Sequence, residues 1–228
     1  MNFKYQSEVK LIDSMGSDKR VVDAARVSFL KDDYLSSTLN DQDQKLIKYL
    51  ASHNHTSPFE HTSATFLIET PIFVARQIMR HRTFSYNEVS RRYTSDSISI
   101  WLPSKLRGQA KVNRQCSEGE IDEEEQSKVI IEKAMTYALS SYYTLIESGL
   151  SRELARTVLP QGTMTTFYMT GNLMNWIKFL KLRDHEGAQP ETIEVAKSIK
   201  KSLLELFPIS MNAYFKKSSA VNSSSMTS

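Results

Sequence analysis

The sequence is poor in cysteine and glycine, and it contains no long apolar run. Cys116 is the only cysteine among 228 residues, which excludes an internal disulfide. The seven glycines form neither a G-x-G-x-x-G nor a P-loop pattern, which argues against a doubly wound nucleotide-binding fold. No segment has the length of a membrane span, and the amino terminus, MNFKYQSEVK, lacks the apolar centre of a secretory signal. We therefore expect a soluble, cytoplasmic protein without membrane contact.

The chain also carries little excess charge of either sign. The formal net charge is +3, whereas a dedicated nucleic-acid-binding protein is usually far more basic. The length suits one domain, which we assign to residues 1–215. The remaining stretch, 216–228, is small and polar, and we predict a disordered tail there.

Hydrophobic periodicity predicts a chain that mixes helices with a few strands. Helices are predicted near residues 20–29 and 46–51, from 128 to 148, from 173 to 183, and from Pro190 to about Leu206. Strict alternation predicts strands at 62–69 and 163–170, and Pro71 is expected to open a helix that reaches His81. Residues 103–126 are predicted to form an exposed loop. This order predicts a single α+β domain whose mixed or antiparallel sheet is flanked by helices.

Residues 80–93, RHRTFSYNEVSRRY, concentrate four arginines and a histidine around one acid. On a helix, Gln77, Arg80 and His81 share a face, and an extended run from Asn87 would place Glu88, Ser90 and Arg92 on one side. Arginine and serine together suit a phosphate group. A solvated basic face and a nucleic-acid-binding module remain alternatives at this point.

Two further motifs favour neither a nucleophilic cysteine nor a metal site. Cys116 lies in a loop without a neighbouring base, so a nucleophilic role is not expected. The stretch HNHTSPFEH at 53–61 has three histidines, but none of them falls at the i, i+4 spacing of a helical zinc site. We predict no metal ion.

Together with its surroundings, the basic cluster resembles the flavin-dependent thymidylate synthases. The signature is RHR, seven residues and S, here residues 80–82 and Ser90. Other segments that resemble the family follow in its order. They are AARVSF at 24–29, HTSPFEH at 55–61, PIFVARQ at 71–77, SYNEVSRRY at 85–93, ARTVLP at 155–160 and LKLRDHEGAQPE at 180–191. The similarity extends from about residue 8 to residue 207.

The resemblance implies the family's α+β fold and a homotetramer whose active sites are shared between subunits. It implies reductive methylation of dUMP to dTMP with 5,10-methylenetetrahydrofolate as carbon donor, FAD as redox carrier and NADPH as reductant. Ser90 and Arg183 would be catalytic, with Arg183 polarising the uracil in place of a cysteine nucleophile. The implied dUMP-binding residues are Gln77, Arg80, Glu88, Val89, Ser90, Arg91, Arg92, Arg156 and Arg183. The implied FAD-binding residues are Ser28, His55, Ser57, Glu60, Arg80, His81, Arg82, Glu88 and Asn172.

Overall fold

A four-stranded antiparallel sheet is the centre of the computed structural model, which describes residues 2–29, 38–95, 98–112, 116–119, 121 and 124–215. The strands are β1 (Asn2–Lys4), β2 (Glu8–Met15), β3 (Ser63–Pro71), β4 (Ser85–Glu88), β5 (Ser99–Trp101), β6 (Gly108–Gln109), β7 (Ser117–Glu118) and β8 (Met164–Asn172). The main sheet has the order β2-β3-β8-β4. β1 pairs in parallel with β5, and β6 forms a small hairpin with β7. The predicted tail, 216–228, lies outside the described residues.

Helices follow or precede most strands. They are α1 (Asp18–Arg26), α2 (Asp41–Ser52), α3 (Ile72–Ile78), α4 (Glu124–Glu147), α5 (Arg152–Ala155), α6 (Leu173–Arg183), α7 (Pro190–Leu206) and α8 (Pro208–Phe215). Short 3-10 helices cover Val27–Phe29, Ser57–His61 and Arg156–Val158. The predicted mixture of helices and an antiparallel sheet is therefore confirmed. Within the described ranges, none of the helices combines the length and the apolar composition that a membrane crossing requires.

The two central strands follow the alternation that the sequence predicts. Ala64, Phe66 and Ile68 are at most 1% exposed and face the main core, while their neighbours along β3 are half-buried. β3 pairs with β8 over nine residues, from Ser63 opposite Asn172 to Pro71 opposite Met164. This long antiparallel pair positions α3, which follows β3, and α6, which follows β8.

The main core lies between the sheet and the helices. Trp176 of α6 is fully buried, its ring centroid is 5.0 Å from that of Phe66, and its indole N–H contacts the carbonyls of Ala64 and Gly171. Phe84 packs directly against Gly171, and this close contact requires a glycine at position 171. A Cβ there would lie 2.4 Å from the Phe84 ring. α6 is thereby held against the end of β8.

The helix that was predicted from Pro71 to His81 is shorter than expected. Pro71 still belongs to β3 and occupies the N-cap position, and the helix runs from Ile72 to Ile78. Met79 closes it through a bond from its N–H to the Ala75 carbonyl. Gln77 therefore lies in the last turn of the helix, and Arg80 and His81 lie beyond it. The prediction that the three share a helical face is wrong.

The sequence did not reveal β2 or α8. Asp18, which is 1% exposed, joins α1 to α8 by accepting bonds from the N–H groups of Ile209 and Ser210 at 2.7 and 2.9 Å and from the Ser210 hydroxyl. A buried carboxylate satisfied in this way stabilises the ends that it joins.

Candidate active site

A cavity of about 310 Å³ opens where β4 ends beside the start of β8. Glu88 ends β4 opposite Phe167, and the N–H of Val89 donates to the Thr166 carbonyl at 2.9 Å. The chain after β4 therefore passes over the beginning of β8. The cavity is lined by Ile72, Glu88, Val89, Ser90, Arg91, Arg156, Leu159, Thr163, Met164 and Thr165. Five of these residues are in the predicted dUMP-binding set: Glu88, Val89, Ser90, Arg91 and Arg156.

Glu88 is oriented by a residue that the sequence did not single out. The Thr165 hydroxyl, which is almost fully buried, donates to Glu88 Oε1 at 2.5 Å. One carboxylate oxygen is thereby fixed against β8, and Oε2 is available to accept from a ligand N–H. Threonine alternation along β8 was visible in the sequence, but its register against β4 was not.

Beyond Glu88 the extended run that we predicted does not continue. Residues 91–93 form a turn in which the Tyr93 N–H donates to the Ser90 carbonyl at 3.0 Å and the Arg92 N–H donates to Ser90 Oγ at 3.3 Å. The Arg92 guanidinium lies 5.8 Å from the Tyr93 ring centroid and is not part of the described lining. The expected common side of Glu88, Ser90 and Arg92 is therefore wrong, since Arg91 lines the cavity instead.

Arg156 reaches the cavity from the 3-10 helix Arg156–Val158, which precedes β8. Its side chain is exposed, and its Nε–H donates to the Glu153 carbonyl at 3.3 Å. Because Nε is the atom used, both terminal amino groups of the guanidinium are available for the bidentate contact that a phosphate favours. The residues that line the cavity thus include two arginines, a serine and a glutamate.

A second cluster joins Arg183, His81 and Gln77. Arg183 is the last residue of α6, and its Nε–H donates to His81 Nε2 at 2.9 Å. One Nη2–H donates to the Gln77 carbonyl at 2.9 Å. Although Gln77 and His81 do not share a helical face, Arg183 brings them together across more than 100 positions of sequence.

Burial controls the charge of this cluster. Desolvation, with the positive charge of Arg183 as the smaller cause, lowers the pKa of His81 from 6.5 to about 4. The imidazole is therefore neutral at pH 7, and since its Nε2 accepts from Arg183, its proton is on Nδ1. Burial also lowers the pKa of Arg183. The guanidinium nevertheless stays charged, and three of its N–H groups are available for a ligand.

The Gln77 side chain is held by residues that the sequence did not suggest. Its Nε2 donates to Gln189 Oε1, and its Oε1 accepts from the Thr192 hydroxyl at 3.3 Å. Gln189 is the N-cap residue of α7, and Thr192 lies in the first turn. The start of α7 therefore fixes the orientation of the Gln77 amide.

The predicted FAD residues lie largely at the opposite end of β8. Asn172 ends that strand opposite Ser63, and Ser57 and Glu60 lie in the 3-10 helix just before Ser63. Asn172 Oδ1 caps α6 by accepting from the Asn175 N–H at 2.9 Å, and the Asn175 side chain donates to the Thr83 carbonyl at 2.8 Å. The exposed members of the predicted FAD set are Ser28, His55, Ser57, Glu60, Arg80, Arg82 and Glu88.

This donor set fits a flavin dinucleotide in its chemistry. Two exposed guanidiniums, Arg80 and Arg82, could neutralise a diphosphate, and the hydroxyls of Ser28 and Ser57 could donate to it. Most of these side chains are exposed on the surface of the chain.

Other candidates remain apart from these clusters. Cys116 lies beside the β6–β7 hairpin, where its Sγ is 3.7 Å from the Gly187 carbonyl oxygen. His53, His55 and His61 are exposed, and the part of the chain that the structure describes holds no group of three metal-ligating side chains.

Comparison with known proteins gives consistent results. The family model described as "Thymidylate synthase complementing protein" matches residues 10–209. A flavin-dependent thymidylate synthase of Thermus thermophilus is 42% identical over 206 residues, which cover 90% of this chain and 74% of that protein. One of Kosmotoga olearia is 40% identical over 208 residues, which cover 90% of this chain and 89% of that protein.

Solved structures share the fold. The crystal structure of the UMP/dUMP methylase PolB from Streptomyces cacaoi bound with 5-Br dUMP matches with a TM-score of 0.87 at 35% identity. The match covers 95% of this chain and 97% of that one. The same methylase bound with 5-Br UMP matches with a TM-score of 0.84 at 34% identity, covering 95% and 96% of the two chains.

Proposed function

The chain belongs to the flavin-dependent thymidylate synthase family, and from this premise we propose that it is a cytoplasmic methyltransferase that converts dUMP to dTMP. The observation that carries the proposal is the cavity beside β4, where Glu88, Ser90, Arg91 and Arg156 converge. The similarity to a methylase that binds 5-Br dUMP supports the same substrate.

In the proposed complex, the nucleotide phosphate binds among Arg91, Arg156 and Ser90, where guanidiniums and a hydroxyl meet. Glu88 accepts from an N–H of the ligand through the oxygen that Thr165 leaves available. Val89 contributes backbone and apolar contact. Arg80 and Arg92, which are exposed, belong to the proposed dUMP-binding set as residues that would approach a bound nucleotide from outside the cavity.

Arg183 is the proposed electrostatic catalyst. Its bonds to His81 and the Gln77 carbonyl hold the guanidinium before any ligand arrives, so little reorganisation opposes the reaction. Neutral His81 does not compete for a negative charge. The remaining N–H groups of Arg183 would stabilise negative charge on the uracil oxygens and N3, which raises the nucleophilicity of C5 without a cysteine adduct.

FAD, NADPH and 5,10-methylenetetrahydrofolate complete the proposal. FAD supplies hydride transfer when bound, NADPH is the reductant and the folate is the carbon donor. On this chain, Arg80, His81, Arg82 and Asn172 would bind the flavin from one subunit, and Ser28, His55, Ser57 and Glu60 from another. The exposure of most of these side chains supports a homotetramer with shared sites.

The test is to purify the protein and measure dTMP formation. We expect a flavin absorption band that survives desalting, and dTMP formation that requires dUMP, NADPH and 5,10-methylenetetrahydrofolate together. UMP serves as the competing substrate, because the related methylase also binds 5-Br UMP. No flavin binding even with added FAD would overturn the proposal.

Three substitutions test the assigned roles in the same assay. Ser90→Ala and Arg183→Ala should each lower kcat/KM at least tenfold, which is the scale of one lost charge-assisted contact. Cys116→Ala is the matched control, and its turnover should be close to that of the unmodified protein. An inactive Cys116→Ala enzyme would instead restore the cysteine as a nucleophile.

The nucleic-acid-binding alternative finds less support. It depends on the same arginines and aromatic rings, but Arg91 and Arg156 line a cavity rather than a continuous basic stripe. If it were correct, the protein would be colourless and would bind single-stranded DNA or RNA with strong salt dependence.

A further inference from the structure

Thr163 is a buried residue of the cavity whose hydroxyl has no hydrogen-bond partner in the described structure. It is 1% exposed, it lines the cavity beside β4, and its Oγ1 is among the buried atoms left unsatisfied. Its backbone is fully engaged, since its N–H donates to the Pro160 carbonyl at 2.9 Å and its carbonyl accepts from the Ile72 N–H at 3.0 Å. Hydrogen bonds fix the backbone of Thr163, whereas its side-chain hydroxyl makes none in the described structure.

The other buried threonines of the described residues show how unusual this is. There are five in all, and four of them make hydrogen bonds through Oγ1. The bonded ones are Thr62 to the Phe59 carbonyl, Thr70 with Ser7, Thr165 to Glu88 and Thr192 to Gln77. A buried hydroxyl without a partner destabilises a fold, so valine, which has the same shape, would be the more stable choice at position 163.

The position of Thr163 indicates what the hydroxyl could bind. It lies two residues before Thr165, so the alternation of the extended chain directs both side chains to the same face of the sheet. Thr165 donates to Glu88 within the cavity. The same cavity is lined by Arg91, Arg156 and Ser90, residue types whose side chains suit a phosphate.

We propose that Thr163 is a substrate-binding residue whose hydroxyl donates a hydrogen bond to the phosphate of the bound nucleotide. This inference rests on the proposed function, because it takes dUMP as the ligand of the cavity. In the ligand-free structure Thr163 Oγ1 is enclosed and unsatisfied, so the proposal requires the neighbouring side chains to shift enough to admit a phosphate oxygen. The bound nucleotide then satisfies the hydroxyl. Substrate affinity and stability of the free protein are thus opposed at this one position.

The test compares Thr163→Val with Thr163→Ser and with Thr62→Val. Thr163→Val should leave the melting temperature of the ligand-free protein unchanged or raise it, while weakening dUMP binding about tenfold or more. Thr163→Ser keeps the hydroxyl and should bind dUMP with nearly the original affinity. Thr62→Val removes a buried hydroxyl that has a partner, so it should lower the melting temperature without changing dUMP affinity.

The phosphate assignment is tested with deoxyuridine, which lacks that group. Calorimetry gives the dUMP affinity, and competition against dUMP gives that of deoxyuridine. Thr163→Val should leave the affinity for deoxyuridine unchanged. An equal loss for both ligands would overturn the phosphate contact, and an unchanged dUMP affinity would overturn the whole inference.

Two further controls separate the possible failures. If Thr163→Val does not fold, Thr163→Ala serves as the second variant without a hydroxyl, and its dUMP affinity relative to Thr163→Ser decides the question. If the unmodified protein itself does not bind dUMP, the proposed function fails, and this inference fails with it. Normal dUMP binding by both the unmodified protein and Thr163→Val would overturn this inference alone.

Discussion

The imidazole of His81 shows how one residue can be fixed in a single protonation state. Its Nε2 accepts from Arg183, its ring centroid is 4.9 Å from that of Phe179, and the Tyr86 hydroxyl donates to its carbonyl at 2.9 Å. Burial raises the pKa of Tyr86 to about 12, so this hydroxyl keeps its proton. Burial and the charge of Arg183 favour the neutral imidazole, while the Tyr86 bond holds the backbone of His81 in place.

We predict that His81 remains neutral down to about pH 5, with its proton on Nδ1. Nitrogen-15 NMR of the imidazole should show a pKa near 4, because burial and the charge of Arg183 both disfavour protonation. Removing that charge in Arg183→Ala should raise the pKa of His81. Titration of the unmodified protein near pH 6.5 would contradict this arrangement.

The low pKa of His81 also affects stability. Between about pH 6.5 and 4 the unfolded chain binds a proton at this residue and the folded chain does not. The contribution of His81 to the free energy of unfolding is therefore complete above about pH 6.5 and is lost as the pH falls toward 4.

At the residue scale, the sequence points more readily to candidate ligand-binding groups than to the groups that support them. Glu88, Ser90 and Arg156 could be selected by their chemistry and by family motifs. Thr165 and Gln189 could not, because their partners lie 77 and 112 positions away in the chain. A supporting contact of this kind depends on strand register and helix placement, which no local pattern specifies.

Among the elements, the β6–β7 hairpin supports the site from outside. Arg107 precedes the hairpin; its Nη2 donates to Glu191 Oε1 at 2.6 Å and its Nε donates to Ser117 Oγ at 2.9 Å. Glu191, which is 6% exposed, lies in the first turn of α7 between the two residues that hold the Gln77 amide. The loop at 103–126, which the sequence predicts to be exposed, is therefore connected to the cluster of Arg183, His81 and Gln77.

We predict that Arg107→Ala loosens the start of α7. Leaving Glu191 buried without its ion pair should cost about 1–3 kcal/mol of stability. It should also weaken dUMP binding, because the Gln77 amide loses its fixed orientation. Urea unfolding measures the first effect and calorimetry the second.

Lys128→Ala is the matched control for this element. Lys128 pairs with Glu124 on the same surface, but both side chains are about one-third exposed, so solvent screens the pair and its loss should change stability less than the loss of Arg107 does. If the two variants bind dUMP equally well, the hairpin has no influence on the site.

The elements that the sequence missed have a common physical reason. β2 has a register shift between Leu11 and Asp13, which interrupts the alternation that identifies a strand. α8 is short and mainly apolar, so it lacks the polar face that identifies a helix. Strongly periodic segments such as β3 and α6 were predicted correctly because tertiary packing reinforces their pattern.

On the scale of the whole molecule, the α+β class was predictable but the strand order was not. β3 pairs with β8, which lies about one hundred residues later, and the sequence of neither strand identifies its partner. The same limit applies to the proposed sites between subunits. The outward-facing residues are recognisable, whereas no local pattern specifies the subunit arrangement that we propose to complete them.

We predict that two inactive variants restore each other's activity. Arg82→Ala and His55→Ala should each abolish flavin-dependent turnover if one site takes Arg82 from one subunit and His55 from another. In co-expressed mixed tetramers purified through two tags, roughly a quarter of the sites would then carry both original residues. Activity near that fraction is expected. No recovery in a tetramer of confirmed mixed composition would mean that both residues come from one chain.

The hydrogen bonds that Asp18 accepts from Ile209 and Ser210 constrain the order in which the chain can fold during synthesis. α1 emerges from the ribosome early, but the donors for its buried aspartate are about 190 positions later. Until α8 is made, burying Asp18 would leave a charge without donors, so it stays hydrated and α1 cannot dock finally. A nascent chain therefore keeps Val21 and Val22 accessible to chaperones until synthesis has passed residue 210.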